Sequence, residues 1–241
     1  MTDGCGRVGA DGGDTGDELA RMSGVERPAP RRAFPVGWRA GPALAVFGLL
    51  ALGLTSAGPA LAESGLLGPA DFDDVADERE RSIALFEEMG KVLTHPRCMN
   101  CHPRDDIPRQ GDDMALHQPP VVRGAGGLGA PAMRCSTCHG TENVAYATAE
   151  SGSVPGHEVW LLAPLSMGWI GASIGEICEQ IKDPARNGGK DLEALHEHNA
   201  EDGLVAWGWH PGDGRESAPG SQELFGQLTR AWIDTGAHCP G

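Results

Sequence analysis

The hydrophobic positions of this chain fall into a few helical stripes separated by long stretches rich in Gly, Pro and Asp. Ile83, Phe86, Met89 and Leu93 recur three or four residues apart and predict a helix over about 75–93, capped by Asp73 or Asp74 and stopped by Pro96. Ser173 with Glu176 three residues on is a capping box; it opens a helix to about 183 with Ile174, Ile177, Cys178 and Ile181 on one side. Leu192 and Leu195 mark a short helix over about 190–200. Leu224, Phe225, Leu228, Ala231 and Trp232 give the buried face of a last helix from Ser221 to about 235, closed by Gly236. Residues 103–134 and 141–170 show no period, and strand alternation is essentially missing. The expected class is all-α with long loops.

The first 62 residues stand apart from this pattern. Residues 1–30 are Gly- and Asp-rich and read as disordered, or as an over-long start upstream of a true start at Met22. Arg31, Arg32 and Arg39 then precede an apolar run from Ala43 to Leu54, and Ala60-Leu61-Ala62 offers an A-x-A cleavage site. The strongly apolar run is shorter than the ~20 residues of a spanning helix. A secretory signal peptide cleaved after Ala62 is expected, followed by a linker over 63–74 and a folded domain over 75–241. The expected destination is the periplasm, with no stable membrane insertion after cleavage.

The chain has 241 residues and a net charge of −15, and its leader holds equal numbers of acidic and basic residues. An anionic surface excludes nucleic acid or an anionic membrane as the main partner and suits a partner with a basic patch. Aromatic residues are only 5%, against 36 Gly and 18 Pro, so something besides side-chain packing is needed to organise the fold.

The cysteines supply that something. Cys98-Met99-Asn100-Cys101-His102 and Cys135-Ser136-Thr137-Cys138-His139 are two copies of C-x-x-C-H, the attachment signature of c-type haem. Two thiols add to the vinyl groups of one haem, and the adjacent His is held under the iron as its proximal ligand. Seven Cys and nine His are too few for two chance copies. A zinc ribbon would leave both adjacent histidines unexplained. A thioredoxin-like motif would need a βαβ frame that is not there. The chain is therefore expected to carry two c-type haems on Cys98, Cys101, Cys135 and Cys138, with His102 and His139 as proximal ligands. Haem of this type is attached to an exported, unfolded chain, which favours the general secretory route over the twin-arginine route suggested by Arg31-Arg32. Cys178 and Cys239 are left over, and in an oxidising compartment they are expected to pair. Gly124-Ala125-Gly126-Gly127-Leu128-Gly129 matches a dinucleotide fingerprint, but no strand precedes it and Pro131 follows, so it reads as a connector.

The motifs begin at Cys98 and Cys135, too close for two tandem domains of about 80 residues each. One cytochrome c-like domain must wrap both haems. What fills the sixth position of each iron then decides function: Met or His seals an electron carrier, and a vacancy permits peroxide or gas chemistry. The candidates are His95, Met114, His117, Met133, His157, Met167, His196, His198 and His210. His117 lies on a loop long enough to fold back, Met167 sits on a Pro-rich loop, and His196 and His198 share the edge of a short helix. Trp160, Trp169, Trp207 and Trp209 are expected to pack on haem edges or in the core.

Four segments carry a resemblance: His95-Pro96-Arg97-Cys98-Met99-Asn100-Cys101-His102-Pro103, Gln110-Gly111-Asp112-Asp113, Lys182-Asp183-Pro184-Ala185-Arg186-Asn187-Gly188-Gly189 and Trp207-Gly208-Trp209-His210-Pro211-Gly212. Over about 75–240 the chain resembles a family of bacterial dihaem c-type cytochromes often labelled isoquinoline 1-oxidoreductase subunit. The resemblance implies His at positions 95, 117 and 198 and Met at 167, which ranks those four above His157, His196 and His210; the expected distal ligands are His117 and His198, then Met167, then His95. It also implies a donor of the molybdenum hydroxylase type and a further electron acceptor. No molybdenum or iron–sulfur motif is present in the chain itself. The expected role is an electron-transfer subunit rather than an enzyme, the alternative being a peroxidase-like enzyme or haem-based sensor with one open iron.

Overall fold

The computed structural model describes residues 65–148 and 152–241. The expected leader and its cleavage site lie outside the described residues.

Helix α1, Glu78–Leu93, starts where the Asp77 carboxylate accepts the Glu80 amide at 2.9 Å, later than either Asp73 or Asp74 would have it. Glu78 and Glu80 sit at its positive end and Lys91 at its negative end, both favourable to the helix dipole. Its buried face includes Leu85 and Val92 as well as Phe86, Met89 and Leu93. It ends at Thr94, before Pro96, and Pro96 instead begins the single turn α2, Pro96–Met99.

The remaining helices follow a long excursion. Helix α3 is Ile174–Lys182, opened by the reciprocal Ser173/Glu176 capping box. Helix α4 is Leu192–Glu201, capped by Asp191, and the turn α5, Gly203–Ala206, is capped by Asp202. Helix α6, Gln222–Asp234, is capped by Ser221, and Gly236 follows at φ +93°, a left-handed value that suits glycine.

Helix α6 packs against α1 and α4. The Phe86 and Trp232 rings meet at 5.0 Å, and the indole N–H of Trp232 donates to the His238 carbonyl. At the α4–α6 crossing, a methyl group on Gly226 would stand 2.6 Å from Ala200 Cβ, so the close approach of α4 depends on that glycine. The Cys178–Cys239 disulfide joins α3 to the C-terminal tail, Cα to Cα 5.6 Å. Buried Glu88 is satisfied by Lys91 at 2.8 Å and the Leu67 amide at 2.7 Å. That contact, with Leu66 buried, packs the stretch expected to be a linker onto the core from residue 66 onward. Two leucines in a short Gly-rich run gave no periodic signal.

The loops between α2 and α3 were expected to lack strands. They hold three two-residue antiparallel ladders: β1 Arg109–Gln110 with β2 Ala115–Leu116, β3 Gly129–Ala130 with β4 Met133–Arg134, and β5 Val144–Ala145 with β6 Ser153–Val154. Ladders this short are set by the turns between them, so they leave no alternation in the sequence. Among the described residues, no helix is long and apolar enough to cross a membrane.

Candidate functional site

Both C-x-x-C-H motifs wind into tight turns, the first from an α-helical turn and the second from a 3-10 turn. The amides of Cys101 and His102 donate back to Cys98 and Met99, continuing the α2 turn. The amides of Cys138 and His139 both donate to the Cys135 carbonyl. Each winding brings its two cysteines and its histidine to one cavity. His95 is spent at the start of the first: its Nδ1 accepts the Arg97 amide at 3.3 Å and caps α2.

The first cavity, about 200 Å³, is lined by Cys98, Cys101 and His102, with His198 and Met167 also facing it. The second, about 510 Å³, is lined by Cys135, Cys138 and His139, with His117. Small-molecule sites run from ~300 to ~1000 Å³, a range that holds the second cavity and lies above the first. Arg97, Cys101, Leu161 and Trp207 line both cavities and form their common wall.

Four histidines are anchored alike. His102 Nδ1 donates to the Met167 carbonyl at 2.8 Å, and His139 Nδ1 to the Pro155 carbonyl at 2.7 Å. His117 Nδ1 donates to the Pro119 carbonyl at 2.9 Å, and His198 Nδ1 to the Asp202 carboxylate at 3.0 Å. An acceptor at Nδ1 fixes the tautomer and leaves the Nε2 lone pair free, the usual arrangement behind a metal-ligating imidazole. Burial holds His102 down to about 3 against the opposing Met167 carbonyl. Burial also lowers His139 and His198, in the latter case against the pull of Asp202. All three are therefore neutral, and available as ligands, at neutral pH.

The rings of His117 and His139 stand 6.0 Å apart at 61°. Two imidazoles on one metal, with bonds of about 2.0 Å and about 1.1 Å from nitrogen to ring centre, would stand roughly 6.2 Å apart. That spacing, the free Nε2 atoms and the paired thiols fit a covalently held haem in the second cavity, and the first offers the same residue types in Cys98, Cys101, His102 and His198. Burial pushes the Cys98 thiol up to about 12 and the Cys101 thiol up to about 11. Both are thus neutral thiols in the unmodified chain.

Met167 is placed differently from its rivals. Its carbonyl stands behind His102, while its buried side chain lines the first cavity. The Trp169 amide donates to the His102 carbonyl and the Ala163 amide to the Cys101 carbonyl, which seats the 163–169 loop on the first motif. Trp169 stacks on His102 at 3.4 Å, and Trp160 on His139 at 4.7 Å. Trp160 also meets Trp207 edge-on at 5.0 Å, whereas Trp209 packs against Phe225 in the core. Met133 lines the second cavity and is largely exposed, and Met114 packs on the helical core. His157 Nδ1 accepts the Val159 amide, His196 lies on the outer side of α4 and α6, and His210 is exposed.

Sequence reasoning did not single out Asp202, although it follows His198 by four residues, the spacing of neighbours on a helix. One of its oxygens holds His198 and the other caps α5. Arg97 and Arg123 were also missed. No family model, no curated protein and no solved structure matches the chain.

Proposed function

We propose that the chain is a periplasmic dihaem c-type cytochrome that relays single electrons. The observation that carries this reading is the presence of two anchored histidine pairs on two cavities with a common wall. Cys98 and Cys101 would tether one haem between His102 and His198. Cys135 and Cys138 would tether the other between His139 and His117. A haem iron with two imidazole ligands supplies reversible one-electron oxidation and reduction when bound.

The chain's own residues would hold the irons closed and keep the two centres close. The Met167 and Pro155 carbonyls, the Pro119 carbonyl and Asp202 orient the imidazoles. Met167 is the weaker distal candidate, because its carbonyl already backs His102. His95 is weaker still, being engaged as a cap. Trp207 and Leu161 fill the boundary between the cavities. The −15 charge would steer the protein toward a basic patch on its partner. The family resemblance suggests a donor dehydrogenase of the molybdenum hydroxylase type.

Near-infrared magnetic circular dichroism of the ferric protein, made with its haem-attachment machinery, tests the reading. Two covalent haems per chain and only low-spin bis-imidazole signals are expected. His198→Ala and His117→Ala should each turn one half of the iron high-spin. A high-spin signal from half the iron of the unaltered protein would overturn the sealed relay and favour peroxide or gas chemistry.

A further inference from the structure

Among the described residues, Arg97 is the one guanidinium that borders both cavities, and it sits on the first motif's own turn. Its side chain is fully buried, 0% exposed. Nη2 is committed to Asp112 at 2.5 Å and to the Gly111 carbonyl at 2.9 Å. Nε and Nη1 are buried and have no hydrogen-bond partner. A buried, unpaired donor on a charged group is costly, and two on one side chain call for an anion. Asp112 is partly exposed and already engaged on the Nη2 side, so it leaves those two nitrogens unserved. The Trp207 ring lies 6.0 Å from Cζ and helps shut out water from that side. The only anionic groups a c-type haem brings into such a wall are its propionates. Guanidinium is the side chain best matched to a carboxylate, being always charged and rich in fixed donors.

We propose that Arg97 is a carboxylate anchor in the wall between the two cavities, its free Nε–H and Nη1–H binding a haem propionate. The inference rests on the dihaem reading above. The propionate belongs to the haem of the first motif or to that of the second, and the chemistry of recognition is the same for both. A cation there offsets the propionate charge and disfavours the ferric state. Removing it should therefore lower the potential of whichever haem it serves.

The test compares the haem-loaded wild type with Arg97→Gln, Arg97→Lys and Asp112→Asn. Covalent haem is counted by pyridine haemochrome and intact mass, and both couples are followed by potentiometric titration. Arg97→Gln should keep two haems. At a fixed potential it should shift the ferrous-to-ferric ratio of one haem at least tenfold toward ferric, about 59 mV for a one-electron couple. The propionate-bending band of that haem should move in resonance Raman, and the haem affected identifies the source of the carboxylate. Arg97→Lys should recover part of the shift. Asp112→Asn should move the same couple the opposite way. Two haems with both couples within twofold of wild type and an unmoved band would overturn the anchor and leave the dihaem reading intact. Fewer than two haems in the wild type would instead sink the dihaem reading. If Arg97→Gln does not accumulate, an Asp112→Asn couple that stays still, or moves toward ferric, overturns the anchor.

Discussion

The helical body and the loop half between residues 103 and 163 are held together by different forces. In the body, Leu85, Phe86, Met89, Val92, Ile177, Leu228 and Trp232 are all at most 1% exposed. In the loop half, Leu116, Val122, Met133, Val144 and Tyr146 are 42–56% exposed. What order the loops have comes from polar clamps. Buried Arg123 donates to the carbonyls of Pro103, Asp105 and Ala163. Arg215 grips Ser153 and the Pro211 carbonyl. Asn143 joins His210, Gly156 and Trp207. The difference teaches where a bound group would matter most. The body has its own core, whereas the loops surround the larger cavity and carry apolar side chains with too little protein to cover them.

Three measurements can break or sharpen that contrast. The largest effect is expected from Cys178→Ala with Cys239→Ala. A bridge across 61 residues should contribute about 4 kcal/mol by the loop-entropy model, read as a drop in unfolding free energy in guanidinium. A loss below ~1 kcal/mol would mean that the body does not need its tether. Next, Leu228→Ala should cost about 3 kcal/mol as a core cavity. Val144→Ala in the loop half should stay within ~0.5 kcal/mol, and equal costs would erase the distinction between the halves.

The smallest global effect is expected from Arg123→Ala. Its lost bonds serve the loops, so amide exchange should accelerate by roughly tenfold, about 1.4 kcal/mol, in residues 103–106 and 123–129. The amides of α1 and α6 should keep their protection. Acceleration spread evenly over the chain would show that the two halves unfold as one.

The helices were legible because their signals are local. Ser173, Asp191 and Ser221 cap the segments their sequence neighbours mark, and the apolar stripes of α3 and α6 face the core. The start of α1 was misjudged because four aspartates lie within 71–77, and only the backbone geometry at Asp77 selects among them. In the site, the C-x-x-C-H windings are also local, five residues each. The histidine that faces each motif was not, since ring position depends on how distant loops are seated.

The sequence by itself determined the two C-x-x-C-H motifs, the helical stripes and their caps, and the anionic character, because each depends on residue type at short spacing. The tertiary structure alone decided that His117 comes within 6.0 Å of His139, ring to ring, and that His198 lines the cavity of His102. It also turned Met167 into a carbonyl support, His95 into a cap, and Arg97 into part of a wall shared by two cavities. These outcomes depend on contacts between residues tens of positions apart, fixed by loop closure and packing rather than by any local preference.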